Sequence, residues 1–472
     1  AARPHAVRRP EVGAAALSAM APLRCPALLI SAPASGQGKT TVVAGLARLL
    51  TRQGLRVRVF KCGPDFLDPH WHQLASGAPV HQLDLWMTGE QDARARLHAA
   101  AQQCDVILVE GVMGLFDGQP SAADLAQRLD LPVMAVIDAS AMAGTFGALA
   151  YGLQRYQSGL RWAGVLANRV ATPRHAQMLQ SGLREPEQWL GALMRVSVND
   201  ATAPKADLLP ERHLGLVSAQ ELPDGLARLD AAADALAQTP LGQMTLADWQ
   251  ARWSVDFAAP DADALPVPAL LQGRTVAVAR DVAFSFIYPA NIDCLRQLGA
   301  QVVFFSPLQD AALPPCEALW LPGGYPELHA EQLAANAPLR ASLQAHIAAG
   351  KPVWAECGGM VALCESITLA NGDCQPLWGL LPGHATQQRR LAGLGPQQLA
   401  WNGHTVRGHT FHYSTLTSAA PAVARTARPG EAATPEAGEA LYRHGSIYAS
   451  YFHAWFASSP TAVAALFGAE TP

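Results

Sequence analysis

Short apolar runs alternate with longer amphipathic stretches along most of this chain. In the first half the runs fall at 26–31, 55–61, 105–110, 133–138 and 163–168. Their length and mostly apolar character predict buried strands, although Arg56 and Arg58 interrupt the second. Helix-like segments separate several of them, and the clearest, 40–50, follows a glycine-rich loop. Strands alternating with helices imply a parallel α/β sheet. The pattern breaks at 230–270, where Ala, Asp and Pro accumulate, as in Ala258-Ala259-Pro260-Asp261-Ala262-Asp263. A second α/β pattern then predicts strands at 275–279, 301–305, 318–321 and 352–356 and a helix at 291–299. The expected organisation is a disordered tail at 1–24, a first domain at 25–240, a linker at 241–272 and a second domain at 273–465. Residues 418–439, rich in Ala, Pro, Thr and Glu, read as a flexible excursion. The longest apolar run, 131–153, contains Pro132, Asp138 and several glycines. It therefore reads as strand, turn and helix, not as a membrane span. Residues 12–23 are only mildly apolar after a basic start, too weak for a signal peptide.

Composition changes this picture little. A chain of 472 residues calls for two or three domains. Half the residues are hydrophobic and 15% are charged, against roughly 25% in typical globular proteins, so the cores are well supplied. A formal net charge of −4 argues for neither a nucleic-acid nor an anionic-membrane partner. The eight cysteines are scattered, with no CxxC pair and no zinc-like spacing. Disulfides are therefore not implied, and a reducing cytoplasm fits best.

The first candidate chemistry is Ser35-Gly36-Gln37-Gly38-Lys39-Thr40-Thr41, between an apolar strand and a helix. In that setting Gly36 and Gly38 let backbone N–H groups face phosphate oxygens, and the helix N-terminus adds a favourable dipole. Lys39 would reach the β/γ-phosphates and Thr40 would hold Mg²⁺, with Thr41 beside it. Pro33 stands where G-x-x-x-x-G-K-[ST] has its first glycine, so the loop is a variant. Carboxylates follow the next two strands: Asp65 and Asp68 in Lys61-Cys62-Gly63-Pro64-Asp65-Phe66-Leu67-Asp68-Pro69, and Glu110 and Asp117 in Glu110-Gly111-Val112-Met113-Gly114-Leu115-Phe116-Asp117-Gly118. In a parallel sheet these strand ends converge on the loop. They can then fix Mg²⁺ and orient a nucleophile. Asp also caps turns, so one of the four is expected to be structural. Glu110, at a strand end, is the strongest metal candidate.

The second is Ala355-Glu356-Cys357-Gly358-Gly359, where a strand runs into Cys357 and a helix-like segment. This is the setting of a nucleophile elbow, with backbone N–H groups there and in Pro322-Gly323-Gly324-Tyr325 available as an oxyanion hole. The helix N-terminus would lower the thiol pKa. A histidine must activate the thiol, and His384, His404, His409, His412, His444 and His453 are available. His453, in Ser450-Tyr451-Phe452-His453-Ala454-Trp455-Phe456, follows a strand-like segment late in the chain. The other seven cysteines read as inert small hydrophobes.

Together the runs SGQGKTT, KCGPDFLDP, EGVMGLFDG, FSFIYPAN, FFSPLQD, LPGGYPEL, AECGGM, GHTFHYS and SYFHAWF resemble the cobyrinate a,c-diamide synthase family over residues 26 to about 460. The resemblance implies an α/β P-loop amidoligase domain, similar to dethiobiotin synthetase, joined to a class I glutamine amidotransferase α/β domain. It implies Mg²⁺, ATP and L-glutamine, a corrinoid substrate amidated at its c and a acetates through acyl phosphates, and a homodimer as the assembly to expect. It assigns Cys357 as nucleophile and His453 as its base. Lys39 and its loop take ATP, and Asp65, Asp68, Glu110 and Asp117 serve Mg-ATP and the acyl phosphate. Two departures stand out. Trp455 replaces the acid of the H-x-E found in full triads, which implies a weakly oriented imidazole and slow glutaminase turnover alone. Thr410 replaces the Glu of a GHEFHYS motif, and His409, His412 and Tyr413 read as packing residues or substrate contacts. The alternatives are a cobyric acid synthase-like amidotransferase and a MinD/ParA-like ATPase switch. The second leaves the Cys357 domain unexplained.

Overall fold

A computed structural model describes residues 22–195, 209, 211–212, 215–216, 222–260 and 266–470. The tail expected at 1–24 lies outside them up to residue 21.

The first sheet is built from β1 (Leu23–Ser31), β2 (Val57–Cys62), β3 (His81–Leu83), β4 (Val106–Glu110), β5 (Val133–Asp138), β6 (Trp162–Val170) and β7 (Trp189–Met194). Its order is β3-β2-β4-β1-β5-β6-β7, and every one of these pairings is parallel. Ala27, Leu28, Leu29 and Ile30 are wholly buried. Helices cover both faces of such a sheet, so an uninterrupted apolar strand is the stable choice there. β8 (Glu211–Arg212) and β9 (Gly215–Leu216) form a small antiparallel pair.

The stretch expected as a linker is largely structured. The helix Leu246–Trp253 packs Trp249 and Trp253 into the first core. Next, β10 (Ser254–Phe257) pairs antiparallel with the start of β1. The Ala/Asp/Pro run at 258–263 begins only after this strand, and the first sheet draws in residues through Phe257.

The second sheet uses β11 (Thr275–Ala279), β12 (Gln301–Phe305), β13 (Ala318–Leu321) and β14 (Val353–Glu356). β15 (Ser366–Thr368), β16 (Cys374–Pro376), β17 (Gly383–Gln387) and β20 (Ser414–Ser418) form a separate sheet. β18 (Gly393–Trp401), β19 (His404–His412), β21 (Ala422–Ala427), β22 (Ala440–His444), β23 (Ile447–Ser450) and β24 (His453–Ala454) complete the second one. Its order is β12-β11-β13-β14-β23-β22-β21-β18-β19-β24. The pairings from β12 to β23 are parallel and those beyond are antiparallel. The excursion expected at 418–439 thus contains a sheet strand, β21. Alternating small residues there gave too weak an apolar signal to mark it.

An aromatic cluster seals the two domains together. Phe66 of the first stacks on Phe286 at 4.9 Å and on Tyr288 at 4.3 Å. Arg407 Nη1 donates to the Trp86 carbonyl at 2.6 Å, and the Arg96 guanidinium lies over the Trp455 ring. Among the described residues no helix is long and apolar enough to cross a membrane.

Candidate active sites: a phosphate loop and a thiol elbow

The loop between β1 and the helix Lys39–Arg52 is held open from the sheet edge. Gly36 and Gly38 have φ of 75° and 91°, which favours glycine. A Cβ on Gly38 would also stand 2.2 Å from Asn168 Nδ2. That amide donates to the Gln37 carbonyl at 2.9 Å, and the Asp138 N–H donates to Gln37 Oε1 at 2.8 Å. The ends of β5 and β6 therefore shape the loop, and Pro33 does not prevent it. Lys39 Nζ curls back to the Ala34 and Met113 carbonyls at 3.2 and 2.7 Å. Burial lowers the Lys39 pKa, with Glu110 opposing. An arriving phosphate would restore the preference for charge.

Thr40 Oγ1 donates to Glu110 Oε1 at 2.8 Å. Glu110, 1% exposed, also meets Lys61 Nζ at 3.0 Å and His72 Nε2. Lys61, itself 3% exposed, reaches Asp68 Oδ2 at 2.6 Å and Asp65 Oδ2 at 3.9 Å. Burial opposes the lysine's charge, but Asp68, Glu110 and Asp65 together hold it protonated well above the ordinary range. The same burial would raise Glu110, yet Lys61 and His72 keep it ionised. Asp65 Oδ1 also caps the turn by accepting from the Leu67 and Asp68 N–H groups. Gly36, Gly38, Lys39, Thr40, Thr41, Asp65, Asp68 and Glu110 all line one cavity of about 480 Å³. That volume is within the range of small-ligand sites.

Asp117 is the exception. It is exposed, does not line this cavity, and its Oδ2 accepts from the Gly114 N–H at 2.8 Å. It shapes the turn that presents the Met113 carbonyl to Lys39. Sequence reasoning missed Lys61, His72 and Asn168. Lys61 carried a signal, since it ends an apolar strand within KCGPDFLDP. His72 lies one helical turn beyond Asp68 on the helix Asp68–Ser76.

The thiol site forms where β14 ends. Cys357 has φ 45° and ψ −107°, a left-handed conformation that a non-glycine residue holds only under strain. Its N–H donates to the Ser450 carbonyl at 2.7 Å, tying the elbow to the end of β23. The glycines after it are sterically required. A Cβ on Gly359 would stand 2.1 Å from the Leu321 carbonyl oxygen, and one on Gly358 would stand 2.6 Å from that of Gly324. The two loops therefore pack against each other beside the thiol. Burial pushes the thiol pKa up, and Glu327 adds to it. The helix N-terminus does not outweigh them, contrary to the sequence expectation. Cys357 opens on a small pocket with Tyr325, Glu327, Gln387, Tyr413 and Ser414.

His453 is buried against Gly323, where a Cβ would stand 2.5 Å from its Cε1. It stacks on His409 with centroids 4.9 Å apart and packs on Phe66 at 5.1 Å. Cys357 follows β14 and His453 follows β23, and those strands are parallel neighbours with Glu356 opposite Ser450. Among the described residues no hydrogen bond joins the thiol to His453, and Sγ faces the Phe411 carbonyl at 4.0 Å. The other histidines are committed or remote. His384 bonds Ser366 and Thr368, and His404 and His444 are exposed. His412 bonds Glu439 at 2.9 Å, and Thr410 Oγ1 donates to the same carboxylate at 2.8 Å. A carboxylate missing from position 410 is thus supplied from the far end of the 418–439 stretch. His409, its pKa pushed well below the ordinary range by burial, accepts from or donates to Tyr288 Oη at 3.1 Å.

The two sites adjoin. Phe286, Tyr325 and Phe411 line both the thiol pocket and the larger cavity, which His453 also lines. A phosphate loop and a thiol elbow opening on adjoining spaces define a glutamine-dependent, nucleotide-using ligase. Residues 28–210 match the CobQ/CobB/MinD/ParA nucleotide binding domain, and residues 275–461 match the CobB/CobQ-like glutamine amidotransferase domain. The chain is 54% identical to a hydrogenobyrinate a,c-diamide synthase of Stutzerimonas stutzeri, over 94% of this chain and 98% of that protein. It is 52% identical to the Pseudomonas aeruginosa protein of the same name, over 95% and 98%. It is 48% identical to a cobyrinate a,c-diamide synthase of Herminiimonas arsenicoxydans, over 94% and 97%. The chain belongs to the cobyrinate/hydrogenobyrinate a,c-diamide synthase family.

Proposed function

We propose that this chain amidates the a and c acetates of cobyrinate or hydrogenobyrinate, with ATP activating each carboxylate and glutamine supplying the nitrogen. The observation that carries this reading is the shared lining of the two sites by Phe286, Tyr325 and Phe411. It keeps the distance from ammonia release to carboxylate activation short.

At the elbow, Cys357 Sγ attacks the glutamine side-chain carbonyl. Its proton passes through His453 to the departing ammonia, and water then cleaves the thioester to glutamate. The peptide N–H groups near Gly358 and Gly324 receive the developing oxyanion. At the loop, Lys39 and the backbone around Gly36 and Gly38 bind the triphosphate. A substrate carboxylate oxygen attacks the γ-phosphorus, ADP leaves, and ammonia displaces phosphate from the acyl phosphate. Lys61, poised among Asp65, Asp68 and Glu110, keeps these carboxylates from repelling the anionic reactants.

Mg²⁺ fits the residues present. Among the described residues no group of three or more His, Cys, Asp or Glu side chains is placed to hold a metal. Thr40 and Glu110 lie side by side at the phosphate end, and Mg²⁺ commonly takes one carboxylate, a hydroxyl and the substrate phosphates. Bound there, it would neutralise charge on the β- and γ-phosphates. Assembly as a homodimer and a cytoplasmic location belong to the same reading.

Isotope transfer tests the acyl phosphate. With substrate carboxylates labelled with ¹⁸O, each amide formed should leave one ¹⁸O in inorganic phosphate, measured by mass spectrometry. Unlabelled phosphate would mean that the carboxylate is not phosphorylated.

A further inference from the structure

We infer that Glu356, the residue immediately before the nucleophile, is the positioning carboxylate for His453. This rests on the amidotransferase reading of Cys357 and His453. The H-x-E acid is replaced here by Trp455, whose ring is wholly buried against Tyr288. The carboxylate comes instead from the end of β14.

Glu356 is 1% exposed, and a buried carboxylate is costly unless something compensates it. Its Oε1 accepts from Trp354 Nε1 at 2.7 Å and from the Ala454 N–H at 3.3 Å. The second bond comes from the residue next to His453 and fixes the carboxylate relative to that histidine's backbone. Oε2 lies 3.8 Å from His453 Nδ1. That is too long for a hydrogen bond, and Nδ1 is a buried ring nitrogen with no hydrogen-bond partner. The imidazole also makes no bond to the thiol. A small ring movement on the open face of Gly323 would bring Nδ1–H onto Oε2. With Nδ1 committed, Nε2 is the nitrogen left to accept the thiol proton, and the carboxylate stabilises the imidazolium that forms. The triad is then complete in composition, with its acid adjacent to its nucleophile in sequence.

Two substitutions separate positioning from packing. Glu356→Gln preserves shape and can still accept both bonds at Oε1. Its amide would face Nδ1 as a donor, favouring the wrong tautomer. Glutamine-dependent kcat should fall by ~100-fold or more, with KM for glutamine little changed and ammonium-dependent amidation retained. Glu356→Asp keeps the charge but loses reach and packing, and should retain more glutaminase activity than Glu356→Gln. The opposite order, a loss confined to KM for glutamine, or an equal loss of ammonium-dependent activity would overturn the inference. Persistence of glutamine use in Cys357→Ala would instead overturn the underlying reading, whatever Glu356→Gln does.

Discussion

Cys357→Ala should abolish glutamine-dependent amidation while ammonium-dependent amidation stays close to wild type. The substitution removes the only atom in the site able to form a thioester with glutamine, so the expected loss is complete within detection. Little else should change. The side chain is small, and its polar contacts are the 4.0 Å approach to the Phe411 carbonyl and the Gly358 N–H. Alanine at φ 45° carries no more strain than cysteine does. The phosphate loop is organised by Asn168, Asp138 and Glu110, none of which touches the elbow. Amide formation followed with glutamine and then with ammonium chloride provides the measurement. Loss of both activities would mean that the two chemistries are not divided as described.

Glu110→Gln should have the reverse signature, a loss of ~10³-fold or more with either nitrogen source. This carboxylate ties together Thr40, Lys61 and His72 in a buried cluster. Removing one charge from such a network leaves its partners uncompensated and disturbs the phosphate end of the cavity. Glutamine binding at the elbow should persist, shown by alkylation of Cys357 with a glutamine-analogue electrophile and its protection by glutamine. Near-normal ammonium-dependent amidation in a folded Glu110→Gln enzyme would remove Glu110 from the nucleotide site.

The two-domain α/β architecture was legible because parallel strands buried on both faces leave uninterrupted apolar runs. β5, β11, β12 and β13 fall where the apolar pattern places them. What composition obscured lay at the edges. β10 is a short strand reached from a polar helix, and β21 is built from Ala, Arg and Thr, which mark no core. The phosphate loop and elbow were visible because Gly36 and Gly38, and Gly358 and Gly359, each stand in one short run between a strand and a helix. Partners brought in by sheet order were not. Asn168 reaches the loop only because β6 lies two strands from β1, and Glu439 reaches His412 only through β22. Asp117 resembled the other acids in spacing, yet its carboxylate turns back onto its own loop. Glu356 was read as part of the elbow, since its approach to His453 depends on the pairing of β14 with β23.

Nitrogen freed at Cys357 should end on carboxylates activated beside Lys39. Incubation of wild-type and Cys357→Ala enzymes with ATP, Mg²⁺, the corrinoid acid and glutamine labelled with ¹⁵N in its side-chain amide, without added ammonium, is the measurement that decides it. The expected product of the wild-type enzyme is a diamide carrying ¹⁵N at both the a and c positions, with none from Cys357→Ala. A corrinoid that gains no amides with wild type, or gains ¹⁵N as readily with Cys357→Ala, would contradict it.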